Sequence, residues 1–511
     1  MTPATGETEE CPEAVPPYSW YALGVLFLVY LVNFVDRQIL SILANDIKAD
    51  LGIGDAQLGF LYGTAFAIFY ALFGIPLGRL ADGWHRLRLL SMGLALWSAM
   101  TMLSGFARNF AMLTAARIGV GVGEATANPC AYSLIADWFP RRLRATALSI
   151  YASGLFVGSG LSLVLGGAIV ESWNNTWPGG GPLGLAGWQA AFVIVGFPGL
   201  VLALWVLSLK EPLRGILEGE AGVNRPNAWR IFLTEVALIL PPFTLFGAAQ
   251  RGARAFAVNV AAACLFTISA AVAIRTMGNP AQFILIGIGF YATFTWATAL
   301  RARDPETFQF TWGSAAFMGV VLVYACVSYV GYTVTYWAAP YAERTFAFSK
   351  TDLGWVIGAP NALGGFLGVL LGGWLADRLA RRFVAGRILV ALIALGGSVP
   401  LVAIGYGSAS STTFLLCNFL MQACTASALG ACGAASLALV RPQMRGTATA
   451  IFLLGATLIG LGFGPFVAGF VSEQTGELAN GAKASLVAVV PGLVALAVVV
   501  CCYSRSLARL G

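Results

Sequence analysis

The chain contains 511 residues, of which 58% are hydrophobic and only 10% are charged. Soluble globular domains carry about 25% charged residues, so the composition excludes an ordinary soluble protein. Apolar runs of about 20 residues recur along the chain, and they predict a polytopic helical membrane protein. The formal net charge of +7 does not indicate a nucleic-acid partner, because lysine and arginine lie mainly in the loops between these runs.

The cysteines and the single histidine form no metal-binding pattern. All nine cysteines except Cys11 lie in apolar runs, without the Cys-x-x-Cys or Cys/His spacing of a metal site, so we expect buried free thiols. His85 lies in a short basic loop, and the sequence has no Walker loop. We therefore expect no metal, no cofactor and no ATP drive. A lipid-modifying enzyme is disfavoured because no nucleophile and base constellation is evident.

Twelve strong spans are predicted. They cover residues 18–45, 56–81, 88–107, 109–137, 145–171, 188–209, 314–338, 352–376, 384–407, 411–439, 447–472 and 483–504. An insert between the sixth and seventh spans holds two more runs that are apolar enough to cross, 255–274 and 281–300. Residues 229–249 contain Glu235 and a Pro-Pro pair and predict an interfacial helix. The prediction is an all-α fold with fourteen spans, or twelve if the insert does not cross.

An internal repeat divides the chain into two halves. G-R-L-A-D begins at Gly78 after the second span, and G-W-L-A-D begins at Gly373 after the eighth, an offset of 295. Pro140 and Pro442 follow the fourth and tenth spans with an offset of 302. Two six-helix bundles related by this repeat account for both offsets. The predicted domains are a disordered tail 1–17, a bundle 18–210, a linker 211–310, a bundle 311–505 and a tail 506–511.

The placement of positive charge predicts the orientation. With a cytoplasmic N-terminus and an insert that crosses twice, 22 of the 30 lysines and arginines lie on the cytoplasmic side and six on the other side. Arg37 and Arg117 remain within the membrane. We therefore expect both termini in the cytoplasm, in a bacterial inner (plasma) membrane.

The fourth span carries two full charges, Arg117 and Glu124, seven residues apart. Seven residues are two helical turns, so both side chains leave one face of the helix. A charge at membrane depth costs at least about 2.5–3.5 kcal/mol, so this face is expected to line the bundle interior, as a buried ion pair. The glycines between the two charges favour close helix packing rather than a nucleotide loop, because no strand precedes them.

The first span carries the adjacent charges Asp36 and Arg37. Adjacent helical residues point about 100° apart, so the two cannot face one partner. In one interpretation Arg37 pairs with a carboxylate on another helix while Asp36 opens to a cavity. A static cluster that locks helix packing and a proton-coupling site both fit this pattern. Proton coupling is favoured because ionisable groups inside membranes mark proton relays in transporters.

The motifs resemble those of the major facilitator superfamily. The loop G-x-L-A-D-x-x-x-R-x-R after the second span is similar to the signature loop of that superfamily, and its second copy follows the eighth span. N-F-V-D-R-Q in the first span and R-I-G-V-G-V-G-E-A in the fourth resemble the spinster-like lipid transporters. The resemblance implies two pseudo-symmetric bundles, alternating access, and Asp36 as the principal protonation site with Glu124 and Arg37 as partners.

Repeated charges at the cytoplasmic ends of the spans predict a latch between the halves. Carboxylates at these helix ends can pair with basic groups and accept from helix N-termini, although solvated surface charges are the alternative. The predicted gate comprises Asp82, Arg86, Arg88, Arg144, Asp377, Arg381, Arg382 and Arg445.

The second half carries no charge near the middle of its cavity-side helices. The predicted cavity lining comprises Asn33, Tyr324, Tyr332, Thr333, Tyr336, Trp337, Asn418 and Gln422, and ordinary packing is the alternative for each. A charged half that faces an apolar and aromatic half suits an amphipathic substrate better than a sugar.

These features together predict a monomeric secondary active transporter surrounded by membrane lipids. The expected substrate is a lysophospholipid or a sphingosine-1-phosphate-like lipid, with protons as the coupling ion and Arg37 or Arg117 attracting its anionic head group. The alternatives are a proton-coupled drug or organic-anion transporter of the same superfamily, and a receptor or scramblase without coupling. One charge crossing about 100 mV gains about 2.3 kcal/mol, enough for a roughly fifty-fold gradient.

Overall fold

A computed structural model describes residues 15–214 and 227–507, which are mostly helical, with no strand in this part of the chain. The helices of the first half are α1 Pro17–Leu51, α2 Asp55–Tyr62, α3 Thr64–Gly83, α4 Arg86–Ser104, α5 Phe110–Glu124, α6 Ala127–Trp138, α7 Arg141–Thr176 and α8 Gly187–Leu207. The insert contains α9 Ala228–Ile239, α10 Phe243–Gln250, α11 Ala253–Met277, α12 Pro280–Arg303 and α13 Pro305–Phe310.

The second half repeats the pattern of long helices. Its helices are α14 Ala315–Phe346, α15 Lys350–Leu353, α16 Ala359–Ala380, α17 Ala391–Gly405, α18 Ser411–Ala438, α19 Arg445–Gly455, α20 Gly462–Thr475, α21 Leu478–Ala484 and α22 Val489–Leu507. Two π-helical turns, Gly354–Gly358 and Ala456–Leu461, interrupt the spans before α16 and α20. Turns of this kind recur at functional sites.

Thirteen helices of the described part are long and apolar enough to cross a membrane. The remaining predicted span, 109–137, is present as α5 and α6, which are separated at Ala125 and Thr126. The predicted all-α fold with two extra spans in the insert is therefore confirmed. The segment 229–249 is bent by 98° between α9 and α10, and its interfacial position stays a prediction. The predicted domain boundaries also stay predictions, and most of the N-terminal tail, part of the linker and the C-terminal end lie outside the described residues.

Local sequence signals set several of the helix ends. Asn109 accepts a hydrogen bond from the backbone N–H of Met112 at the start of α5, at 2.9 Å, and Ser314 accepts from Phe317 at the start of α14, at 3.3 Å. These side chains satisfy N–H groups that a first helical turn leaves free. Gly52 ends α1 with a φ of 62°, the left-handed conformation that commonly closes a helix.

The two halves meet along two seams that glycine keeps narrow. In the first seam, between α2 and α20, a Cβ on Gly59 would lie 2.3 Å from the carbonyl oxygen of Pro465. In the second seam, between α7 and the π-helical turn before α16, a Cβ on Gly160 would lie 2.7 Å from the carbonyl oxygen of Gly358. Side chains larger than hydrogen would force the backbones apart, so glycine permits both approaches.

The α11–α12 hairpin of the insert packs on the first seam. A Cβ on Gly289 of α12 would lie 2.7 Å from Ile68 of α3 and 3.3 Å from Leu458 of the second half. In the most apolar stretch of α12, 50% of the residues are buried, whereas in the corresponding stretch of α11 only 11% are buried. Helix α12 is therefore the inner member of the hairpin, and α11 is the outer member.

Gln282 at the start of α12 bonds to both halves at once. Its Oε1 accepts from the hydroxyl of Thr64, the first residue of α3, at 2.6 Å, and its Nε2 donates to the carbonyl oxygen of Gly462, the first residue of α20, at 3.3 Å. Gln282 is 1% exposed. The insert therefore ties the two halves together at the place where both spans are interrupted.

We expect Gln282→Leu to destabilise this arrangement, because it removes both hydrogen bonds and leaves buried polar groups with fewer partners. The expected loss is about 1–3 kcal/mol, measured as a lower thermal unfolding temperature of the purified protein in detergent. Gln309→Leu is the matched control, because Gln309 is exposed on α13. Equal unfolding temperatures for wild type and Gln282→Leu would show that the bridge carries no stability.

Candidate functional site

A central cavity lies between the halves and is lined by α1, α2, α7, α14, α16 and α18. Its polar lining residues include Arg37 and Gln38 of α1, Tyr332 and Thr335 of α14, and Gln422 of α18. Among the described residues that line it, Arg37 is the one with a full charge. The cavity therefore offers one fixed positive site in walls that are otherwise neutral and largely apolar.

Arg37 forms an ion pair with Glu124, which is the last residue of α5. The Arg37 Nη2 lies 2.6 Å and its Nε 3.2 Å from Glu124 Oε2. The two side chains are 8% and 0% exposed. Buried charges of this kind are retained only when they are paired, because desolvation costs several kcal/mol per ion. The predicted partnership of Arg37 with a carboxylate on another helix is therefore present.

Arg117 does not make the ion pair that the spacing in the fourth span predicts. Its Nε and Nη1 lie 3.4 Å from the backbone oxygens of Leu61 and Asp36, and its Nη2 has no hydrogen-bond partner among the described residues. Glu124 is drawn to Arg37 instead, since the guanidinium of Arg37 reaches it from α1 with two N–H groups. The expectation of an Arg117–Glu124 pair is wrong for this conformation.

Asp36 is fully buried, and it does not open to the cavity as one interpretation predicts. Neither carboxylate oxygen has a hydrogen-bond partner among the described residues, and the cavity lining passes from Phe34 to Arg37 without it. Its side chain points toward Trp97 and Thr101 of α4 and lies in the field of Arg117 and Glu124. Because Asp36 and Arg37 leave the helix about 100° apart, only Arg37 reaches the cavity.

The predicted cavity residues fall into two groups. Three of them line the cavity, namely Tyr324, Tyr332 and Gln422. The other five are buried in the packing around it, namely Asn33, Thr333, Tyr336, Trp337 and Asn418. Two of these still support the wall.

Tyr336 and Asn418 act on the cavity through a neighbouring residue. Tyr336 stacks on Tyr62, with ring centroids 4.3 Å apart, and Asn418 donates to Asn361 Oδ1 at 2.6 Å. Tyr62 and Asn361 both line the cavity. These lining residues were missed, because nothing in the sequence distinguishes a lining tyrosine or asparagine from one in the next layer.

The bundle has a near end and a far end. The near end is the end at which α1 begins, which the charge pattern predicts to be cytoplasmic, and the far end is the end at which α1 finishes at Leu51. The predicted gate residues lie at the near end. Arg86 is fully buried there and contacts Asp137 and Glu211, the latter at 3.1 Å. Asp137 belongs to the first half and Glu211 to the start of the predicted linker, so neither contact reaches the second half.

Two more of the predicted gate residues, Asp377 and Arg144, contact residues of their own halves. Asp377 is exposed and lies 3.7 Å from Arg387 of its own half. Arg144 donates to the backbone oxygen of Ala136 at 2.7 Å. The exposed members of the predicted gate are Asp82, Arg88, Arg381, Arg382 and Arg445. A latch between the halves stays a prediction for a conformation in which the near ends approach.

The far end carries a charged layer between the halves that sequence reasoning missed. Asp55, the first residue of α2, accepts from Arg344 of α14 through both oxygens, at 2.7 and 2.9 Å. Lys48 and Ser472 donate to the same carboxylate, each at 2.7 Å. Asp55 is 2% exposed, so this carboxylate is a buried junction of α1, α2, α14 and α20.

Lys350 forms a second junction in the same layer. Its ammonium lies 2.6 Å from Asp46 of the first half and 2.8 Å from Glu343 of the second. The sequence signal for this layer is the mixture of acidic and basic residues at the far ends of the spans, a pattern that ordinary loop charges also produce. With these two junctions formed, the far end is closed.

Residues 26–338 and 320–508 match the Major Facilitator Superfamily. The chain therefore belongs to this superfamily, and it is a multi-pass membrane transporter. The superfamily resemblance predicted from the motifs is confirmed.

Relatives place the chain within the superfamily. An MFS-type efflux pump of Mycolicibacterium smegmatis is 28% identical over 468 residues, 92% of this chain and 88% of that protein. Protein spinster of Drosophila melanogaster is 30% identical over 200 residues, 39% of this chain and 31% of that protein. A probable galactarate/D-glucarate transporter of Escherichia coli is 24% identical over 474 residues, 91% of this chain and 89% of that protein.

A solved structure supports the same placement. The crystal structure of a bacterial homolog to the human lysosomal transporter Spinster, in an inward-facing and unoccupied conformation, superposes with a TM-score of 0.70 and 25% identity. The match covers 97% of this chain and 99% of that chain. The predicted resemblance to spinster-like transporters is thus confirmed in sequence and in structure.

We expect Asp55→Asn to open the far end, because Arg344 and Lys48 then share a junction without its negative charge. Both cations are partly exposed, so the expected cost to the closed state is about 1–3 kcal/mol. Spin labels at Ala49 and Gln474, on exposed sites of opposite halves, should show a larger population of long distances.

Asp50→Asn is the control for this experiment. Asp50 is a far-end carboxylate that accepts from Trp188 of its own half at 2.8 Å. An unchanged distance distribution in Asp55→Asn, or the same change in Asp50→Asn, would show that the junction does not hold the far end closed.

We expect the stability contributed by Glu211 to fall in acid. Burial alone would raise the pKa of the Glu211 carboxyl, but hydrogen bonds from the backbone and side chain of Arg86 outweigh burial and lower this pKa. The contribution is complete above the ordinary pKa of about 4.3 and is lost as pH falls through the lowered folded-state value.

The measurement compares thermal unfolding of wild type and Glu211→Gln in detergent over a range of pH. The variant should unfold at a lower temperature near neutral pH, and the difference should shrink in acid. Glu477→Gln, at an exposed far-end site, serves as the control. A difference that stays constant with pH would contradict the linkage.

Proposed function

We propose that this transporter moves amphipathic lipids with an anionic head group, of the lysophospholipid or sphingosine-1-phosphate type, in exchange or in company with protons. The observation that carries the proposal is the position of Arg37, the charged side chain of the cavity wall, with a buried carboxylate as its counter-ion. A cationic site in a largely apolar cavity suits a molecule with one anionic and one apolar end.

Proton coupling would work through competition for Arg37. While Glu124 is ionised it neutralises the guanidinium, and a substrate anion must displace it. Protonation of Glu124 weakens the pair and leaves Arg37 available. A ligand can drive a conformational change only through different affinity for the two states, and this exchange of partners supplies such a difference.

Asp36 is proposed as the principal protonation site, in agreement with the spinster resemblance. Its carboxylate is buried without a hydrogen-bond partner among the described residues. In the same cluster, Nη2 of Arg117 is also buried without such a partner. An ionised Asp36 would attract Arg117, and a neutral Asp36 would release it. This would link the charge state of α1 to the position of α5.

The proposed orientation places the near end in the cytoplasm of a bacterial inner membrane. In that orientation the closed far end is the outer gate, and the cavity is available from inside. The similarity to the inward-facing structure of the bacterial Spinster homolog supports this assignment. The proton gradient would then set the protonation state of Asp36, and a change in that state would allow the far end to open.

A second candidate is a proton-coupled transporter of drugs or organic anions. It is supported by the similarity to an efflux pump and to a sugar-acid transporter over more than nine-tenths of the chain. An organic dianion would also seek Arg37, but it would leave the aromatic wall of α14 without an apolar partner. The lipid is preferred for that reason.

The test is uptake of a fluorescent lysophospholipid into proteoliposomes with imposed pH gradients. We expect Asp36→Asn to lose gradient-driven transport and Glu124→Gln to be impaired, because neither amide can exchange a proton. Glu235→Gln is the control, since Glu235 pairs with Arg303 in the insert, away from the cavity. Unchanged transport by Asp36→Asn under every gradient would favour an uncoupled receptor or scramblase.

Competition in the same vesicles separates the candidate substrates. An unlabelled lysolipid should inhibit uptake more strongly than a cationic dye or galactarate. Stronger inhibition by the dye would favour a drug transporter, and stronger inhibition by galactarate would favour an organic-anion transporter.

A further inference from the structure

The guanidinium of Arg37 is held by three aromatic rings as well as by Glu124. Its Cζ lies 4.4 Å from the ring centroid of Phe66, 4.7 Å from that of Phe34 and 5.1 Å from that of Tyr70. A cation within about 6 Å of a ring centroid is attracted by the ring quadrupole. Arg37 therefore has an ionic contact with Glu124 and, beside it, an aromatic cage formed by Phe34, Phe66 and Tyr70.

Helix spacing builds this cage. Phe66 and Tyr70 are one turn apart on α3, and their rings stack with centroids 5.3 Å apart. Phe34 precedes Arg37 by three residues on α1, so the two side chains share a face of that helix. Phe66 is 0% exposed, and its ring also lies 5.6 Å from the Cζ of Arg117. One fully buried ring thus lies near both guanidinium groups.

The two kinds of contact respond differently to protonation. The ion pair depends on the negative charge of Glu124, whereas the quadrupole of a phenyl ring does not titrate. The charged or titratable groups whose fields reach Arg37 come from five helices. They are Tyr30 of α1, Tyr62 of α2, Tyr70 of α3, Arg117 and Glu124 of α5, and Tyr332 of α14. When Glu124 is neutral, the three rings still bind the guanidinium from the side of the first half.

We propose that Phe66, together with Phe34 and Tyr70, is a positioning residue that keeps Arg37 at the cavity wall when Glu124 releases it, so that the guanidinium can receive the anionic group of the substrate. This inference rests on the proposed function, because it requires a substrate anion at Arg37. Without the cage, a long arginine side chain that loses its carboxylate gains rotamer freedom and leaves the geometry in which it binds an anion.

The test measures binding of two probes to the purified full-length protein. One probe is a lysophosphatidate and the other an uncharged monoacylglycerol with the same acyl chain. Phe66→Leu keeps an apolar side chain but removes the ring, so we expect it to weaken lysophosphatidate binding by about 2- to 30-fold. Binding of the uncharged probe should change by less than about twofold, since Phe66 does not line the cavity.

Two further variants sharpen the measurement. Glu124→Gln imitates the neutral carboxyl. In that background Phe66→Leu should weaken lysophosphatidate binding by a larger factor, because the ion pair no longer helps to keep Arg37 in place. Phe66→Tyr retains a ring, so this variant should bind lysophosphatidate with nearly the wild-type affinity. Phe60→Leu is the matched control, because Phe60 is buried in α2 with its ring 5.7 Å from Phe110.

The outcomes separate this inference from the proposed function. Wild type that binds both probes equally well would overturn the anionic-lipid proposal and the inference with it. Wild type that prefers lysophosphatidate while Phe66→Leu behaves like wild type would overturn only the inference. Equal losses for both probes in Phe66→Leu, or the same selective loss in Phe60→Leu, would also overturn it, because the ring would then have a general packing role.

Discussion

The contact between Arg37 and Glu124 is the interaction on which the rest of the site depends. Two charges removed from water are retained only if they meet in good geometry, and here they do so at 2.6 Å with almost no exposure. The pair joins α1 to the end of α5, and it brings one cationic group to the cavity. Arg117 and Asp36, which lack such ion pairs, remain in the same buried cluster, and the proposed proton coupling rests on this imbalance.

Closure of the far end and the position of the insert follow from how the halves meet. Glycine lets α2 approach α20 and lets α7 approach the turn before α16, so backbones touch along both seams. The junctions at Asp55 and Lys350 then add ion pairs between the halves at the far end. Helix α12 covers only the first seam and bonds to both halves through Gln282. The second seam has no equivalent helix among the described residues, so the insert makes the transporter asymmetric.

The relatives carry different substrates on one fold, as fold alone does not define function. In this chain Arg37 of α1 shares the cavity lining with Tyr332 and Thr335 of α14. Under the proposed function, selectivity for an anionic group depends on how firmly Arg37 is held when Glu124 changes its protonation state. The rings of Phe34, Phe66 and Tyr70 supply a hold that is independent of charge.

The sequence by itself determined the spans, the repeat, the superfamily resemblance and the residues of the charged cluster. These are local signals, because apolar runs, loop motifs and a charge within a span are legible without knowing what lies opposite. Only the tertiary structure decided the partners. Glu124 pairs with Arg37, 87 positions away, rather than with Arg117 on its own helix, and Asp55 meets Arg344 across 289 positions. Side-chain direction and the approach of distant helices set these distances, and no pattern along one helix encodes them.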